Sequence, residues 1–594
     1  MDVEALKSEL AELPLGSIVR RTYDGVVRYS HQWRRNGQTH SYSIRPEDVE
    51  DLQRKIDRRK EIERMLKLNA ASAAIGCDYF TEVTTGKELR RWADQSKGWR
   101  HREILNSLLK FLRGKDEPRV FILYGLRRTG KTTLLQQAAS ALSANEFGKT
   151  AYVQVKPGDT MADLNKDLSA LRRAGYRFVF VDEVTMMDDF IDGAAVLADI
   201  HSTTGLKIVL SGTDSLGFWL SLGDSLYDRA YVAHTTFIPF REYSSLLNVD
   251  DVDTFIRHGG MLRPGSPLVD ENGRMTEDTS FNSDLAARRY VDTAIARNIQ
   301  HALSAYSDGI RFRQLTALRE SGELTNAINR VVEDLNHRFL VSVLERDFKS
   351  HDLGIAERNL RQDRDASRRV ELRDLMSIEG VTAALMRILD IRNAAVDKSL
   401  LTQATVREIE DYLTRLDLVV RLPSRLVRDG RVEDLEPLVL IAQPGLRYCQ
   451  ADALAVALLA DPTFGGLDAR SKASVLARIR EEVAGRMLEE VVLLETDRAR
   501  RSGKTEVFKL QFDVGEFDMV VRDVQAATCE LYEVKHSAVR DTGQFRHLSD
   551  KQKLADVKKL FGKVVSRTVL YRGEDAKVSG GIAYRNVDTY LKSL

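Results

Sequence analysis

"RVFILYGLRRTGKTTLLQQAASAL", residues 119–142, decides how the first half of the chain is read. "VFILY" is an unbroken apolar run of the kind buried on both faces of a parallel sheet. "KTTLLQQAASAL" has the composition of a helix. Between them Gly125, Gly130, Lys131 and Thr132 satisfy the pattern G-x-x-x-x-G-K-[ST]. The glycines let successive backbone N–H groups wrap phosphate oxygens, Lys131 brings positive charge to the β and γ phosphates, and the Thr132 hydroxyl ligates Mg²⁺. Thr133 follows on the first turn of a helix whose N-terminus adds its dipole to the anion site. A strand before the motif and a helix after it predict a site for ATP with Mg²⁺.

Further along, "KTAYVQV" (149–155), "YRFVFVDEV" (176–184) and "LKIVLSG" (206–212) read as more core strands, so a parallel α/β core is expected over 119–245. Asp182 and Glu183 end the second of these, and adjacent acids at the end of a buried strand are costly unless used. Asp182 is expected to hold the Mg²⁺ shell and Glu183 to orient and deprotonate the attacking water. After the third strand come Ser211, Thr213 and Asp214. Thr213 is the candidate for a polar group between the acids and the γ-phosphate, although small polar residues there also serve as helix caps. Arg229 can reach the nucleotide in cis or from a neighbouring subunit, or it can pair with Asp224 or Asp228.

"YGLRRTGKTTLL", "FVFVDEV", "IVLSGTDS" and "FIPFREY" occur in this order. In order and spacing they resemble a widespread archaeal and bacterial group of P-loop ATPases. In that group an AAA-type domain is followed by a helical lid, a winged-helix-like unit and a C-terminal domain similar to PD-(D/E)XK nucleases. The resemblance runs from about residue 118 onward. It implies a helical lid and extension over 246–400, a winged-helix-like unit over 401–448 and a restriction-endonuclease-like α/β domain over 449–594. "TQATVREIEDYLTRLDLVVRL" (402–422) resembles the winged-helix segment, but Glu408, Glu410 and Asp411 make its helix unsuited to phosphate, which favours a structural role. "PLVLIAQPGLRYC" (437–449) resembles the strand and turn before the last domain, with Gln443 where the group usually has Asp.

In the last domain, "AGRMLEEVVLLET" (484–496) reads as a helix carrying Glu489. "VFKLQFDVGEFDMVV" (507–521) gives a strand with Asp518, and Glu516 precedes it at the two-residue spacing of one strand face. "CELYEVKHS" (529–537) gives the paired strand with Glu533 and Lys535. Glu489, Asp518 and Glu533 can share Mg²⁺ or Mn²⁺ through oxygen ligands. The metal activates a water, and Lys535 positions or deprotonates it or neutralises the oxyanion. Activity stays open at this point, because a fold does not fix a function. One reading is an ATP-dependent enzyme that binds or cuts DNA. The other is a signalling or assembly ATPase, for example in host defence, whose last domain is an inactive binding platform. "HLSDKQKLADVKKLF" (547–561) offers a basic helix for a nucleic-acid backbone.

Ahead of the ATPase motifs, residues 16–46 alternate apolar and polar positions around "DG" and "NG", which favour tight hairpin turns. Three short strands and a charged helix are expected in a module spanning 1–70, with a helical linker over 71–118. The strands carry Arg20, Arg21, Arg28, Arg34, Arg35 and Arg45 among Tyr23, Tyr29, Trp33 and Tyr42. That pattern suits phosphate contact and base packing, and it equally suits a solvated sheet docked on its own helix. Its order resembles the arm-binding modules of phage-type integrases.

The whole chain has 594 residues, too many for one core, with 43% hydrophobic and 30% charged residues and a net charge of +1. No global field points to nucleic acid, so any basic surface is local. Three cysteines at positions 77, 449 and 529 have no metal-ligand spacing and fit a reducing compartment. The acidic start lacks the apolar core of a signal peptide, and the longest apolar runs fall short of a bilayer span. A cytoplasmic protein without a membrane segment is expected, with DNA as partner and possible homo-oligomers, since AAA-type ATPases often work as rings.

Overall fold

The computed structural model describes residues 9–10, 13–23, 26–35, 38–72, 79–187, 189–213, 217–218, 221–222, 226–262, 267–269, 275–277, 281, 283–296, 299, 303, 312–349, 384, 387–388, 401–462, 468–578 and 580–594. Most of the charge-dense stretch of the expected helical extension, together with Cys77, Asp214 and Asp224, lies outside these residues. The chain divides into two units, Met1–Val83 with Ala162–Gly175, and Thr84–Met161 with Tyr176–Leu594.

In the first unit the expected strands are present: β1 (Ser17–Tyr23), β2 (Val26–Arg35) and β3 (Gln38–Ile44), antiparallel in that order. Tyr23 faces Val26 and Arg35 faces Gln38, so two residues of sequence separate each pair of strands. Trp33 stacks on His31 and His40 with ring centroids 5.1 and 5.4 Å apart. The helix α1 (Val49–Ser72) follows and buries Ile56 and Ile62.

The second unit opens with α2 (Gly86–Asp94) and α3 (Ile104–Arg113). The sequence expectation of a linker here misses what these helices cover. Leu89, Ala93, Leu105 and Leu108 join one core with Phe121, Leu123, Leu134 and Phe180. That core coats one face of the parallel strands of a six-stranded sheet, β4 (Val120–Tyr124), β5 (Thr150–Gln154), β6 (Phe178–Asp182), β7 (Lys207–Gly212) and β8 (Ala230–His234), which lie in the order β5-β6-β7-β4-β8. The helix α4 (Lys131–Ser140) leaves β4 directly. β7 and β8 flank β4 on either side, and the chain from β4 crosses past β7 and β6 to β5. Crevices at such switch points, outside the carboxyl ends of the strands, are where open α/β sheets bind ligands.

Then come α5 (Phe240–Leu247), α6 (Val252–His258), α7 (Leu324–Lys349) and α8 (Gln403–Arg415). The strands β9 (Val419–Leu422), β10 (Ser424–Arg428), β11 (Arg431–Asp434) and β12 (Leu438–Ile441) lead into the helices α9 (Pro444–Ala460) and α10 (Ala469–Arg500). The last part comprises β13 (Thr505–Phe512), β14 (Glu516–Asp523), β15 (Thr528–Val534), α11 (Lys551–Leu560), β16 (Lys563–Tyr571), β17 (Ala576–Val578), β18 (Ile582–Asn586) and α12 (Val587–Ser593).

β9 pairs with β12, but the hairpin β10–β11 between them departs and joins the last sheet, where β10 runs parallel to β13. The eight strands lie in the order β11-β10-β13-β14-β15-β16-β18-β17. From α10 onward the path is helix, antiparallel three-strand meander, helix and parallel strand. One core binds this part to its predecessors: Phe240, Phe255 and Leu454 pack with Val483, Leu488 and Leu493 of α10 and with Met519 and Tyr532. Among the described residues no helix is long and apolar enough to cross a membrane.

Candidate functional site

β4 is buried and delivers the chain into a loop that needs glycine. Gly125 has φ +149°, and a Cβ there would stand 2.5 Å from Thr235 Oγ1; Gly130, at φ +87°, starts α4. Lys131 is buried, and its Nζ donates to the carbonyls of Gly125 and Leu126 at 2.8 and 2.9 Å. Burial, partly offset by Glu183 and Asp182, lowers its pKa to about 8. The ammonium thus lies folded against its own loop, beside the space that phosphate would take.

The Thr132 hydroxyl donates to Asp182 Oδ2 at 3.0 Å, Tyr152 OH donates to the same oxygen at 3.2 Å, and Ser211 Oγ donates to Oδ1. Thr132 and Asp182 therefore meet at the apex of neighbouring elements, as a shared Mg²⁺ requires. Glu183 has φ +58°, an uncommon backbone for a glutamate, and its Oε2 accepts from Thr213 N–H and Oγ1 at 3.3 and 3.1 Å. Thr133 is half-buried on the first turn of α4.

Arg229 is not brought here. It precedes β8 at the opposite end of the sheet, where Val120 N–H donates to its carbonyl and its Nε donates to Asp199 at 2.7 Å. Five strand residues, at ~3.3 Å each, put it about 16 Å from the phosphate loop. Of the two acids that the sequence offered it, Asp228 pairs with Arg119, and Asp224 lies outside the described residues.

The sequence reading also missed Arg102. Only 4% exposed, it donates through Nε and Nη2 to Glu242 Oε2 at 3.1 and 2.8 Å. Its Nη1 donates to the carbonyls of Thr129 and Thr235 at 2.8 and 2.9 Å, and Nη2 to that of Phe237 at 3.0 Å. One guanidinium thus pins the phosphate loop to the chain after β8. The signal was the Glu of "REY", a buried acid in search of a cation.

A second constellation lies where α10, β13, β14 and β15 meet. Asp518 and Glu533 are 1% and 3% exposed. Asp518 Oδ2 accepts from Val534 N–H at 2.8 Å and from Lys535 Nζ at 3.1 Å, while Glu533 Oε2 accepts from Lys535 at 2.8 Å. Burial and the neighbouring Asp518 raise the Glu533 pKa. Burial works against the Lys535 ammonium, but Asp518 and Glu533 outweigh it and hold it protonated. A register slip sets the pair: Phe508 faces Val520 but Leu510 faces Phe517, so Asp518 and Met519 together oppose Lys509. Such bulges re-aim side chains and are frequent beside active sites.

The structure brings Glu489, Glu516 and Asp518 within 4.8 Å of one another through their carboxylate oxygens. This differs from the expected set in one member: Glu516 joins the cluster, and Glu533 is turned to Lys535 and Asp518. Hard oxygen donors at this spread suit an ion such as Mg²⁺ or Mn²⁺, whose opposite ligands lie about 4 Å apart. Glu533 Oε1, buried and without a hydrogen-bond partner, agrees with a cation-seeking site. The cluster faces a cavity of about 780 Å³ whose other walls include Ser342, Arg486, His536 and His547. On α11, Asp550 caps the helix and Lys553 turns inward to His547, leaving Lys551, Lys558 and Lys559 exposed.

Two of the doubtful segments are structural. Gln443 is buried and donates to Gly260 O and Tyr290 OH at 2.8 and 3.0 Å. Glu408 of α8 accepts from the backbone N–H groups of Gln314 and Leu315, and Glu410 pairs with Arg421, so these two acids serve the fold.

Residues 117–244 match the family described as "AAA domain". No curated protein matches the chain. Among solved structures, S. cerevisiae Hsp104 in an extended complex with casein is 15% identical, covers 42% of this chain and 48% of its own, and has a TM-score of 0.22. The Aeropyrum pernix ORC1 protein in complex with DNA is 17% identical, covers 64% of this chain and 98% of its own, and has a TM-score of 0.23. The chain thus spans about half the length of the Hsp104 chain, and at these scores neither likeness carries an argument. The family match and the loop geometry make the parallel-sheet core an AAA-type P-loop ATPase domain that takes ATP.

Proposed function

We propose that the chain is an ATP-driven DNA-processing enzyme, in which the AAA-type domain hydrolyses ATP and the C-terminal α/β part is a metal-dependent, nuclease-like centre. The observation that carries the reading is the convergence of Glu489, Glu516, Asp518, Glu533 and Lys535 on one cavity from one helix and two strands.

At the nucleotide site Lys131 would exchange two loop carbonyls for phosphate oxygens, and Thr132 with Asp182 would hold Mg²⁺. Glu183 leaves Thr213 to orient the water, so Thr213 acts as its resting partner. At the second site a bound divalent ion supplies an activated water and charge stabilisation. Glu489, Glu516 and Asp518 would hold that ion. Lys535, fixed between two carboxylates, places a positive charge beside the scissile phosphate. The exposed lysines of α11 and the arginines and aromatic rings of β1–β3 offer further contacts to the DNA backbone and bases.

The test is incubation of the full chain with single- and double-stranded DNA, with Mg²⁺ or Mn²⁺, with and without ATP. Asp518→Ala should abolish cleavage and spare ATP turnover, and Lys131→Ala should abolish turnover. Intact substrates in every lane, or cleavage that survives Asp518→Ala, would end the nuclease reading. One observation favours the second reading, an assembly or signalling ATPase with an inactive platform. The acids already have resident cations in Arg486, Lys509 and Lys535.

A further inference from the structure

Lys509 is the least expected residue of the C-terminal cluster. It lies on a strand whose "FKLQF" pattern reads as an outward lysine, yet it is 1% exposed, and buried lysines are rare unless paired. The register slip of β14 faces it. Its Nζ stands 2.9 Å from Glu516 and 3.4 Å from Glu489, two of the three carboxylates with metal-ligand spacing. On the other flank Lys535 engages Asp518 and Glu533.

We propose that Lys509 is a built-in cation that restricts this centre to a single divalent ion, held by Glu489, Glu516 and Asp518. The inference rests on the metal-dependent reading above. A two-metal centre needs ions about 3.5–4 Å apart, each with its own oxygen ligands. Here an ammonium already stands within bonding distance of the Glu516 and Glu489 oxygens that a second ion would need. The ammonium cannot exchange with solvent ions, so the charge that a second metal supplies elsewhere is supplied here by the chain.

Mn²⁺ binding to the full chain without nucleotide, counted by calorimetry and by electron paramagnetic resonance, tests this without recourse to activity. The ions of the centre are those lost on Asp518→Asn. Wild type should show one such ion with an uncoupled spectrum, and Lys509→Arg should also show one. Lys509→Met should double the count to two and produce the dipolar broadening of close Mn²⁺ pairs. Circular dichroism melting establishes that each variant is folded, and the wild-type count stands even if Lys509→Met is not. Two Asp518-dependent ions in wild type, or one in folded Lys509→Met, would overturn the proposal and leave the nuclease reading standing. No Asp518-dependent ion in wild type would overturn both.

Discussion

Arg102 offers the most demanding test of how the phosphate loop is held. Its guanidinium serves Glu242, Thr129, Thr235 and Phe237, and both ends of the Arg102–Glu242 pair are about 95% buried. Replacing it by Met keeps the aliphatic volume but leaves the Glu242 carboxylate charged in a site without water. Breaking one partner of a buried pair in this way costs about 3–5 kcal/mol. Most of that is the orphaned charge, so removing the charge as well should restore part of it. Arg102→Met should therefore destabilise the ATPase domain by about 4 kcal/mol, Glu242→Gln by less, and the double variant by less than Arg102→Met alone. The Thr129 carbonyl also loses its donor, and ATP affinity should fall roughly tenfold, equivalent to ~1.4 kcal/mol. Urea titration followed by binding of a fluorescent ATP analogue reads both quantities from the domain concerned. A double variant as impaired as the sum of the singles would refute the reasoning, because the two residues would then act independently.

Gly125→Ala should weaken ATP binding by more than tenfold, since the new Cβ meets Thr235 Oγ1 at 2.5 Å and Thr236 N at 2.9 Å at a φ of +149°; unchanged affinity by calorimetry would show the loop to be more pliant than drawn. Glu495 accepts from Phe240 N–H at 2.6 Å, and burial raises its pKa from 4.5 to about 8. The folded chain keeps this proton between those values while the unfolded chain releases it, so stability should fall as pH rises from about 5 to 8. At ~1.4 kcal/mol per pH unit the ceiling is about 5 kcal/mol, and relaxation reduces it to roughly 2. Glu495→Gln should flatten the profile and stabilise the protein at pH 8.5 in chemical denaturation, whereas an unaltered slope would mean that the carboxyl is already ionised in the folded chain.

What the sequence revealed and what it hid divide by distance along the chain. The phosphate loop, Asp182 and the paired strands with Asp518, Glu533 and Lys535 are local patterns, the widest of them 17 positions across. Arg102 is 140 positions from Glu242 and belongs to no motif, so nothing local marks it. The helices α2 and α3 displayed amphipathic faces without showing that the ATPase sheet would cover them. Lys509 alternates like a solvent-facing residue, and only the slip in β14 and the helix α10 reveal it as interior. The cis role of Arg229 failed for the opposite reason: a local guess had no means of knowing which end of the sheet it would occupy.

The parallel pairing of β10 with β13 has a consequence for how such a protein can be taken apart or inherited. A cut anywhere between residues 429 and 504 parts two neighbours of one sheet and leaves β13 with a bare edge, a template for unwanted pairing with another chain. The C-terminal centre is therefore no cassette that recombination can move at will. Its smallest transferable piece begins upstream of Ser424, because the sheet that carries the acids draws one of its strands from that far back in the chain.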